Sequence, residues 1–145
     1  MNEVIADGGL TLFDQPFSEE DERRFIASLG QRSALHVAES EGAIIGVQSI
    51  DLFSSIARSL SHVATMGTWL RSDSRGRGIG RLLAAASLDF ARAHAYEKIV
   101  VQVLADNERA LRFYRALGFR DIGVARLHVK LAGQVHDEIY MEKML

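Results

Sequence analysis

The stretch RSDSRGRGIGRLLAAA, residues 71–86, is the most informative segment of the sequence. Its first eleven positions hold four arginines, three glycines and one aspartate, and the positions that follow are apolar. Glycine lets a main chain approach an anion closely, and the N–H groups at a helix N-terminus point toward such an anion. Arginine adds charge-assisted hydrogen bonds to phosphate. The stretch therefore predicts a pyrophosphate-binding turn that opens a helix, the alternative being a flexible turn that only links a strand to a helix.

Two common phosphate-binding loops do not match this segment. A P-loop needs Gly-Lys-Ser/Thr, whereas Gly80 is followed by Arg81-Leu82. A dinucleotide fingerprint counted from Gly76 needs its third glycine at position 81, which is arginine. The acidic residue expected about 20 residues further on also does not fit, since Asp106 lies beyond that distance. A nucleotide-binding protein of another class stays open as an alternative.

The bulk composition is that of an ordinary globular chain. The 145 residues are 48% hydrophobic and 25% charged, which favours one domain over residues 1–145. A formal net charge of −2 argues against a whole-surface nucleic-acid binder, for which a basic excess is expected. With no cysteine, thiolate catalysis, thiolate metal sites and disulfides are excluded.

The sequence also lacks the patterns of membrane and secreted proteins. No run of about 18 apolar residues predicts a membrane span. The N-terminal segment has neither the basic region nor the apolar core of a secretory signal. We therefore expect a cytoplasmic protein that does not act at a membrane.

Hydrophobic periodicity and turn residues predict alternating helices and strands. Helices are predicted over 17–30, 81–95 and 107–118, and strands over 33–40, 42–53, 61–70, 98–105, 122–133 and 137–145. This order indicates a mixed α/β or α+β layer fold. An earlier strand has only the short LTLF segment, residues 10–13, as a candidate, and otherwise the N-terminal half is shortened.

A second motif follows the glycine-rich segment at a fixed separation. The first motif is Arg75-x-x-Gly78-x-Gly80, and the second is Asn107-x-x-Ala110-x-x-Phe113-Tyr114-x-x-x-Gly118-Phe119. Together they resemble the acyl-CoA pyrophosphate motif and the following strand–helix unit of the GNAT N-acetyltransferase superfamily. The resemblance runs from about Ser33 to the C-terminus. It implies a mixed, mostly antiparallel sheet with a V-shaped splay, flanked by helices on both faces.

The resemblance implies acetyl-CoA as the co-substrate. The pantetheine arm would lie in the splay against the main chain at the end of strand 61–70, and the N–H groups of residues 75–81 would hold the pyrophosphate. The cofactor-binding residues implied are Trp69, Leu70, Arg71, Arg75, Gly76, Arg77, Gly78, Ile79, Gly80, Arg81, Asn107 and Tyr114. Apart from the resemblance, Trp69 and Tyr114 fit core positions, and Asn107 fits a helix cap.

The implied reaction transfers an acetyl group to a primary amine within a ternary complex. Tyr114 is expected to protonate the leaving thiolate, and the N–H of Leu70 to stabilise the developing oxyanion. The general base is open. Residues 61–71 contain no acidic residue, so the candidates are His62, Asp51 on the preceding strand, or a chain of water molecules. The five histidines lack metal-ligand spacing, so no metal site is expected.

The acceptor is expected to be a small-molecule amine or an amino-acid derivative. A protein N-terminus or lysine is the alternative acceptor, and a non-catalytic acyl-CoA-binding module is the alternative class of protein. The helix over 17–30 is expected to form the acceptor-side wall. The family resemblance is also compatible with a homodimer.

Overall fold

A computed structural model describes residues 2–8 and 11–145. The helices are α1 (Asn2–Ala6), α2 (Glu19–Ser28), α3 (Ile79–Ala93) and α4 (Glu108–Ala116). The strands are β1 (Ala34–Ser40), β2 (Ala43–Leu52), β3 (Val63–Leu70), β4 (Lys98–Leu104), β5 (Arg120–Leu131) and β6 (Gln134–Met144). Short 3₁₀ turns at Arg58–Leu60 and Ser72–Ser74 flank β3. Within the described residues, no helix is long and apolar enough to cross a bilayer.

The helix ends follow from the capping residues in the sequence. Ser18 and Asp21 form a reciprocal capping box at the start of α2. Asn107 Oδ1 accepts a hydrogen bond from Ala110 N over 3.1 Å at the start of α4, and Gly118, at φ +86°, ends that helix. The two caps and the glycine stop confirm the sequence predictions. Helix α3 begins at Ile79, two residues earlier than predicted.

The strands form one six-stranded sheet in the order β1-β2-β3-β4-β6-β5. Every neighbouring pair is antiparallel except β3 and β4, which run parallel. The turn between β1 and β2 has positive φ at both Glu41 and Gly42, as a tight two-residue hairpin requires. The mixed, mostly antiparallel sheet predicted from the resemblance is confirmed.

Strands β3 and β4 separate partway along their length. They pair only from Val63↔Lys98 to Thr65↔Val100, although β3 continues to Leu70 and β4 continues to Leu104. The far half of β3 stays paired with β2, and the far half of β4 stays paired with β6. A V-shaped gap therefore opens in the middle of the sheet, between two halves that are each held in place by an outer neighbour.

The main core lies on the face of the sheet covered by α3 and α4. Its fully buried members include Ile50, Ile99, Val101 and Met141 from the strands and Ala91 from α3. Gly80 allows the two helices to approach, because a Cβ there would lie 3.1 Å from Phe113 Cε2. On the opposite face, the ring of Phe13 lies 6.2 Å from that of Trp69.

The N-terminal segment differs from the sequence expectation. Residues 11–13 of LTLF are not in a strand, and Leu10 lies outside the described residues. The segment instead runs across the open end of the sheet, where Thr11 Oγ1 lies 3.5 Å from Trp69 Nε1 and accepts its hydrogen bond. Residues 11–13 thus contact the Trp69 ring through Thr11 and Phe13 instead of pairing with the sheet.

Candidate functional site

The main chain of β3 offers hydrogen-bonding groups to the gap. Arg71 N donates to Ile45 O of the neighbouring strand over 3.1 Å, and Phe53 N donates to Val63 O. The main-chain N–H and C=O groups of successive residues in a strand point to opposite edges. Those of Trp69 therefore also point to β2, whereas those of Thr68 and Leu70 point into the gap. Of the three main-chain contacts predicted at residues 69–71, geometry therefore favours Leu70 alone, since Arg71 N–H is already bonded.

The glycine-rich segment presents unpaired amides. Gly76 and Gly78 have φ of +77° and +82°, which L-residues with side chains rarely adopt. No described residue accepts a hydrogen bond from the main-chain N–H groups of residues 76–80. The flanking amides are occupied, since Arg75 N donates to Ser72 O and Arg81 N donates to Gly78 O. The amides left to bind an anion are therefore those of residues 76–80, a shorter segment than the predicted 75–81.

The arginines of this segment divide into two groups. Arg75 is anchored, because Nε donates to Leu70 O over 3.0 Å and Nη2 lies 2.6 Å from Asp7 Oδ2. Its guanidinium therefore fixes the loop to the end of β3. Arg77 and Arg81 are exposed. Arg109 of α4 lines the same cavity as Arg81. Sequence reasoning missed Arg109, because only the fold brings α4 beside the loop.

A cavity of about 620 Å³ extends from this loop into the gap. Its lining combines main chain of the glycine-rich segment, side chains of α4 and the end of β3, including Leu70, Gly78, Arg81, Arg109 and Tyr114. Unpaired amides and guanidinium groups at one end suit a diphosphate, and the apolar remainder suits an extended organic chain. The residues present thus fit the acyl-CoA cofactor that the two motifs imply.

A second cavity of about 250 Å³ lies against the first. Thr11, Leu12 and Phe13 form one wall, and Gln102 and Leu104 of β4 form another. The helix expected as the acceptor-side wall, residues 17–30, contributes none of the described lining residues. At this cavity the segment that precedes α2, residues 11–13, forms the wall.

The two cavities meet at Tyr114. Both are lined by Thr68, Asn107, Ala110 and Tyr114. The Tyr114 side chain is 5% exposed. Burial raises the pKa of this phenol to about 12, and the hydrogen bond with Thr68 partly opposes that rise. At neutral pH, Tyr114 is therefore a protonated phenol between the two cavities.

A buried hydrogen-bond chain leads to this phenol. Gln48 Nε2 donates to Thr68 Oγ1 over 2.7 Å, and Thr68 Oγ1 lies 3.1 Å from Tyr114 Oη. Gln48 is fully buried and pairs directly with Thr68 across β2 and β3. Sequence reasoning missed both residues. Their only signal is a polar residue at a core-facing position in each of two neighbouring apolar strands.

The two candidate bases lie outside both cavities. His62 is exposed before the first residue of β3, six residues from Thr68, which corresponds to about 20 Å along a strand. Asp51 Oδ1 accepts hydrogen bonds from Ser33 Oγ and Leu52 N. The structure therefore does not bring either residue to Tyr114, because both belong to the closed end of the sheet.

The remaining predicted residues have structural contacts of their own. Asn107 lines both cavities while its Oδ1 caps α4, so the cap and a cofactor contact are compatible. The Trp69 ring lies against Phe13 and lines the smaller cavity. Within residues 2–8 and 11–145, no group of three or more His, Asp or Glu side chains is placed to hold a metal ion.

Comparison with known proteins matches this geometry to a family. The sequence model of the acetyltransferase (GNAT) family matches residues 6–119. The N-alpha-acetyltransferase RimI of Mycobacterium tuberculosis is 33% identical over 96 residues, which is 66% of this chain. The match spans only 58% of the length of that relative.

Solved structures show the same fold at lower identity. A ribosomal-protein-alanine N-acetyltransferase from Brucella melitensis superposes with a TM-score of 0.92 at 23% identity, over 99% of this chain and 89% of its own. A phosphinothricin acetyltransferase from Sinorhizobium meliloti, solved in complex with AcCoA, gives a TM-score of 0.88 at 23% identity, over 99% and 78%. With the family match covering more than half of the sequence, this chain belongs to the acetyltransferase (GNAT) family, which uses acetyl-CoA.

Proposed function

We propose that this chain is an N-acetyltransferase that transfers an acetyl group from acetyl-CoA to the primary amine of a small molecule or amino-acid derivative. One observation supports this most strongly. A cavity that suits a diphosphate-bearing chain and a smaller cavity share a wall at Tyr114, which is a buried, protonated phenol. A proton donor at the junction of two substrate-sized cavities is what a direct transfer requires.

The glycine-rich loop would hold the cofactor. Amides of residues 76–80 would bind its diphosphate, with Arg81 and Arg109 adding positive charge at the cavity wall. The gap between β3 and β4 would receive the arm that carries the acyl group. Bound acetyl-CoA would supply an acetyl group activated as a thioester, whose transfer to an amine yields an amide and a free thiol.

Tyr114 would act as the general acid. Thr68 Oγ1 accepts a hydrogen bond from Gln48, so its own O–H is available to donate to Tyr114 Oη. The phenolic proton is then left for a group in the cavity. A hydrogen bond received at Oη also stabilises the phenolate that forms when that proton leaves. Gln48 and Thr68 would thereby direct the proton toward the departing sulfur.

Leu70 N–H would stabilise negative charge on the acyl oxygen. Its main chain faces the gap, and Leu70 O is held by Arg75 Nε. A main-chain donor fixed in this way needs no reorganisation when charge develops on the acyl oxygen. The position of this amide depends on the separation of β3 from β4, which leaves it without a strand partner on that edge.

The size of the second cavity favours a small acceptor. About 250 Å³, lined by Leu12, Phe13, Trp69 and Gln102, suits one amino-acid-sized group. A peptide with a free α-amine is the second candidate, because the relative from Mycobacterium tuberculosis is named an N-alpha-acetyltransferase. A peptide would place only its first residue in this cavity.

A release assay tests the proposal. Free thiol is measured after mixing the chain and acetyl-CoA with small amines, amino acids and short peptides that carry a free α-amine. We expect turnover with at least one class, highest for the small acceptors. Calorimetric titrations with acetyl-CoA, ATP and NAD accompany it and should show binding of acetyl-CoA alone. Tight acetyl-CoA binding without turnover on any amine would favour a non-catalytic acyl-CoA-binding module.

A further inference from the structure

A buried carboxylate lies one layer behind the smaller cavity. Glu138 of β6 is 1% exposed and pairs with Leu104 of β4, which lines that cavity. Successive residues of β6 point to opposite faces of the sheet. Met141 points into the core beneath α3 and α4, so Glu138, three residues away, points to the other face. No step described so far uses this group.

Glu138 lacks a strong cationic partner among the described residues. Oε2 accepts a long hydrogen bond of 3.4 Å from Gln102 Nε2, and His128 Nε2 lies 3.8 Å away. Glu142, four residues further along β6 on the same face, instead contacts both Lys98 and Arg120. A carboxylate removed from water is costly unless a positive charge or several hydrogen bonds compensate for it. Its surroundings therefore favour a cation in the adjacent cavity.

Gln102 connects this carboxylate to the cavity. Its side chain lines the cavity, and Nε2 donates to Tyr140 Oη over 3.0 Å as well as to Glu138 Oε2. Both amide hydrogens are thus directed at β6, and Oε1 is left as the acceptor. Glu138 fixes this orientation, because a carboxylate can accept hydrogen bonds but cannot donate them.

We propose that Gln102 and Glu138 form the amine-receiving wall of the smaller cavity and select a protonated primary amine over a neutral acceptor of the same shape. This inference rests on the proposed function and names its acceptor class. Gln102 Oε1 contacts the amine, and Glu138 acts as a positioning residue that also supplies negative potential. The described lining residues carry no formal charge, so the charge behind Gln102 is weakly screened.

Probe binding without cofactor tests this wall independently of turnover. Isotope-labelled chain is titrated with n-butylammonium chloride and, at equal ionic strength, with n-butanol, while NMR follows the Gln102 side-chain amide. We expect n-butylammonium to shift this resonance and to bind about tenfold more tightly than n-butanol, as one charge-assisted contact allows. Equal affinity for the two probes, or no shift with either, overturns the proposal.

Two variants and one control locate the effect. Glu138→Gln keeps the shape and removes the charge, so it should abolish the preference for n-butylammonium. Glu142→Gln removes a carboxylate from the same face of β6, outside both cavities, and should retain the preference. A preference retained in Glu138→Gln contradicts the inference. Should that variant fail to fold, Gln102→Met, at an exposed position, should lose the preference while unfolding at the wild-type temperature.

Failure of this inference is distinguishable from failure of the proposed function. Acetyl-CoA titration of Glu138→Gln should give the wild-type affinity, because Glu138 lies outside the larger cavity. With the preferred amine, the variant should raise KM by about tenfold while changing kcat little, as expected for the loss of ground-state binding. Loss of acetyl-CoA binding in the wild type would refute the proposed function and leave the probe titrations to decide the amine wall.

Discussion

Tyr114 has the packed ring of a core tyrosine and the cavity-facing hydroxyl that a catalytic acid needs. Its ring packs edge-on against Phe113 and Phe119, as a core residue does. Its hydroxyl lies between two cavities and is bonded to Thr68. Because burial raises its pKa to about 12, the phenol keeps its proton at every pH at which an enzyme is ordinarily assayed.

Replacing Tyr114 with Phe tests the acid role. The change preserves the aromatic packing and removes only the hydroxyl. We expect kcat to fall by about 100-fold, within the usual contribution of a general acid, while calorimetry shows acetyl-CoA affinity unchanged within about twofold. An unchanged kcat would exclude Tyr114 as the proton donor.

The pH dependence should carry the signature of a raised phenol pKa. The rate should rise with pH as the acceptor amine loses its proton, whose pKa is about 10.4 for a lysine-type ammonium. Since Tyr114 titrates at about 12, no falling limb from this group should occur below pH 10. A falling limb centred near pH 8 in the kcat profile would contradict the assignment.

Replacing Thr68 with Val tests the hydrogen-bond chain. The hydroxyl of Thr68 lowers the pKa of Tyr114, so its removal should raise that pKa further and weaken the acid. We expect kcat to fall about tenfold, the effect of one hydrogen bond. Ser54→Ala removes a hydroxyl that accepts a hydrogen bond from Ala57 N, away from both cavities, and this control should leave kcat at the wild-type value.

The turn proposed to bind the cofactor has main-chain amides, at residues 76–80, that donate to no described residue. Gly76 and Gly78 hold positive φ, and α3 starts without a side-chain cap. A helix N-terminus ordinarily gains stability from a capping side chain, so an uncapped start leaves its N–H groups for a ligand. Arg75 holds this arrangement in place through Leu70 O and Asp7.

Replacing Gly78 with Ala tests the turn, and Gly133 supplies a matched control. The two glycines have φ of +82° and +83°, and an added Cβ would meet nothing within 4 Å at either site. Each substitution should therefore cost a similar backbone strain of about 1 kcal/mol, measured by chemical denaturation. Only Gly78→Ala should weaken acetyl-CoA binding, because Gly133 lies in the β5–β6 turn. Equal effects on binding would show that the turn does not contact the cofactor.

Elements with local signals could be predicted from the sequence. Ser18, Asn107 and Gly118 each mark a helix boundary by side-chain or backbone chemistry that acts within a few residues. Residues 11–13 carry no comparable signal, since their conformation depends on contact with Trp69, which is distant in the sequence. The part that residues 11–13 take in lining the smaller cavity could therefore not be predicted from the sequence.

At the scale of the molecule, β6 joins the edge strand β5 to β4 and so to the rest of the sheet. Glu142 contacts Lys98 of β4 and Arg120 of β5, and its side chain is 8% exposed. Hydrogen bonds from Lys98, and then from Arg120, lower the pKa of this carboxyl. A lowered folded-state pKa stabilises the fold above the usual pKa of a glutamate and loses that contribution as pH falls.

Neutralising Glu142 should therefore destabilise the fold in a pH-dependent manner. Glu142→Gln should lower Tm at pH 7, and the difference from the wild type should shrink as the pH falls toward 3. Glu19→Gln breaks an exposed pair with Arg23 and serves as the control with little effect. A difference in Tm that stays constant from pH 7 to pH 3 would show that the charge of Glu142 is not responsible.

The residues proposed to bind the cofactor lie in two contiguous sequence motifs, whereas those proposed for the acceptor side are scattered along the chain. Residues 76–80 and 107–118 are contiguous motifs, so their chemistry can be recognised from the sequence alone. Gln48, Gln102 and Glu138 come from three separate strands. Strand register sets Gln48 opposite Thr68 and Glu138 opposite Leu104, so each lies next to a residue that lines a cavity. His62 is close to Trp69 and Leu70 in the sequence, but the direction of β3 places it at the closed end of the sheet.

The binding of the diphosphate by the amides of residues 76–80 is tested most directly by NMR. The isotope-labelled chain is titrated with acetyl-CoA and, separately, with pantetheine, which lacks the diphosphate. We expect acetyl-CoA to shift the main-chain amide resonances of residues 76–80 and of Leu70, whereas pantetheine should shift that of Leu70 alone. Unchanged resonances for residues 76–80 at millimolar acetyl-CoA, or equal shifts with pantetheine, would contradict it.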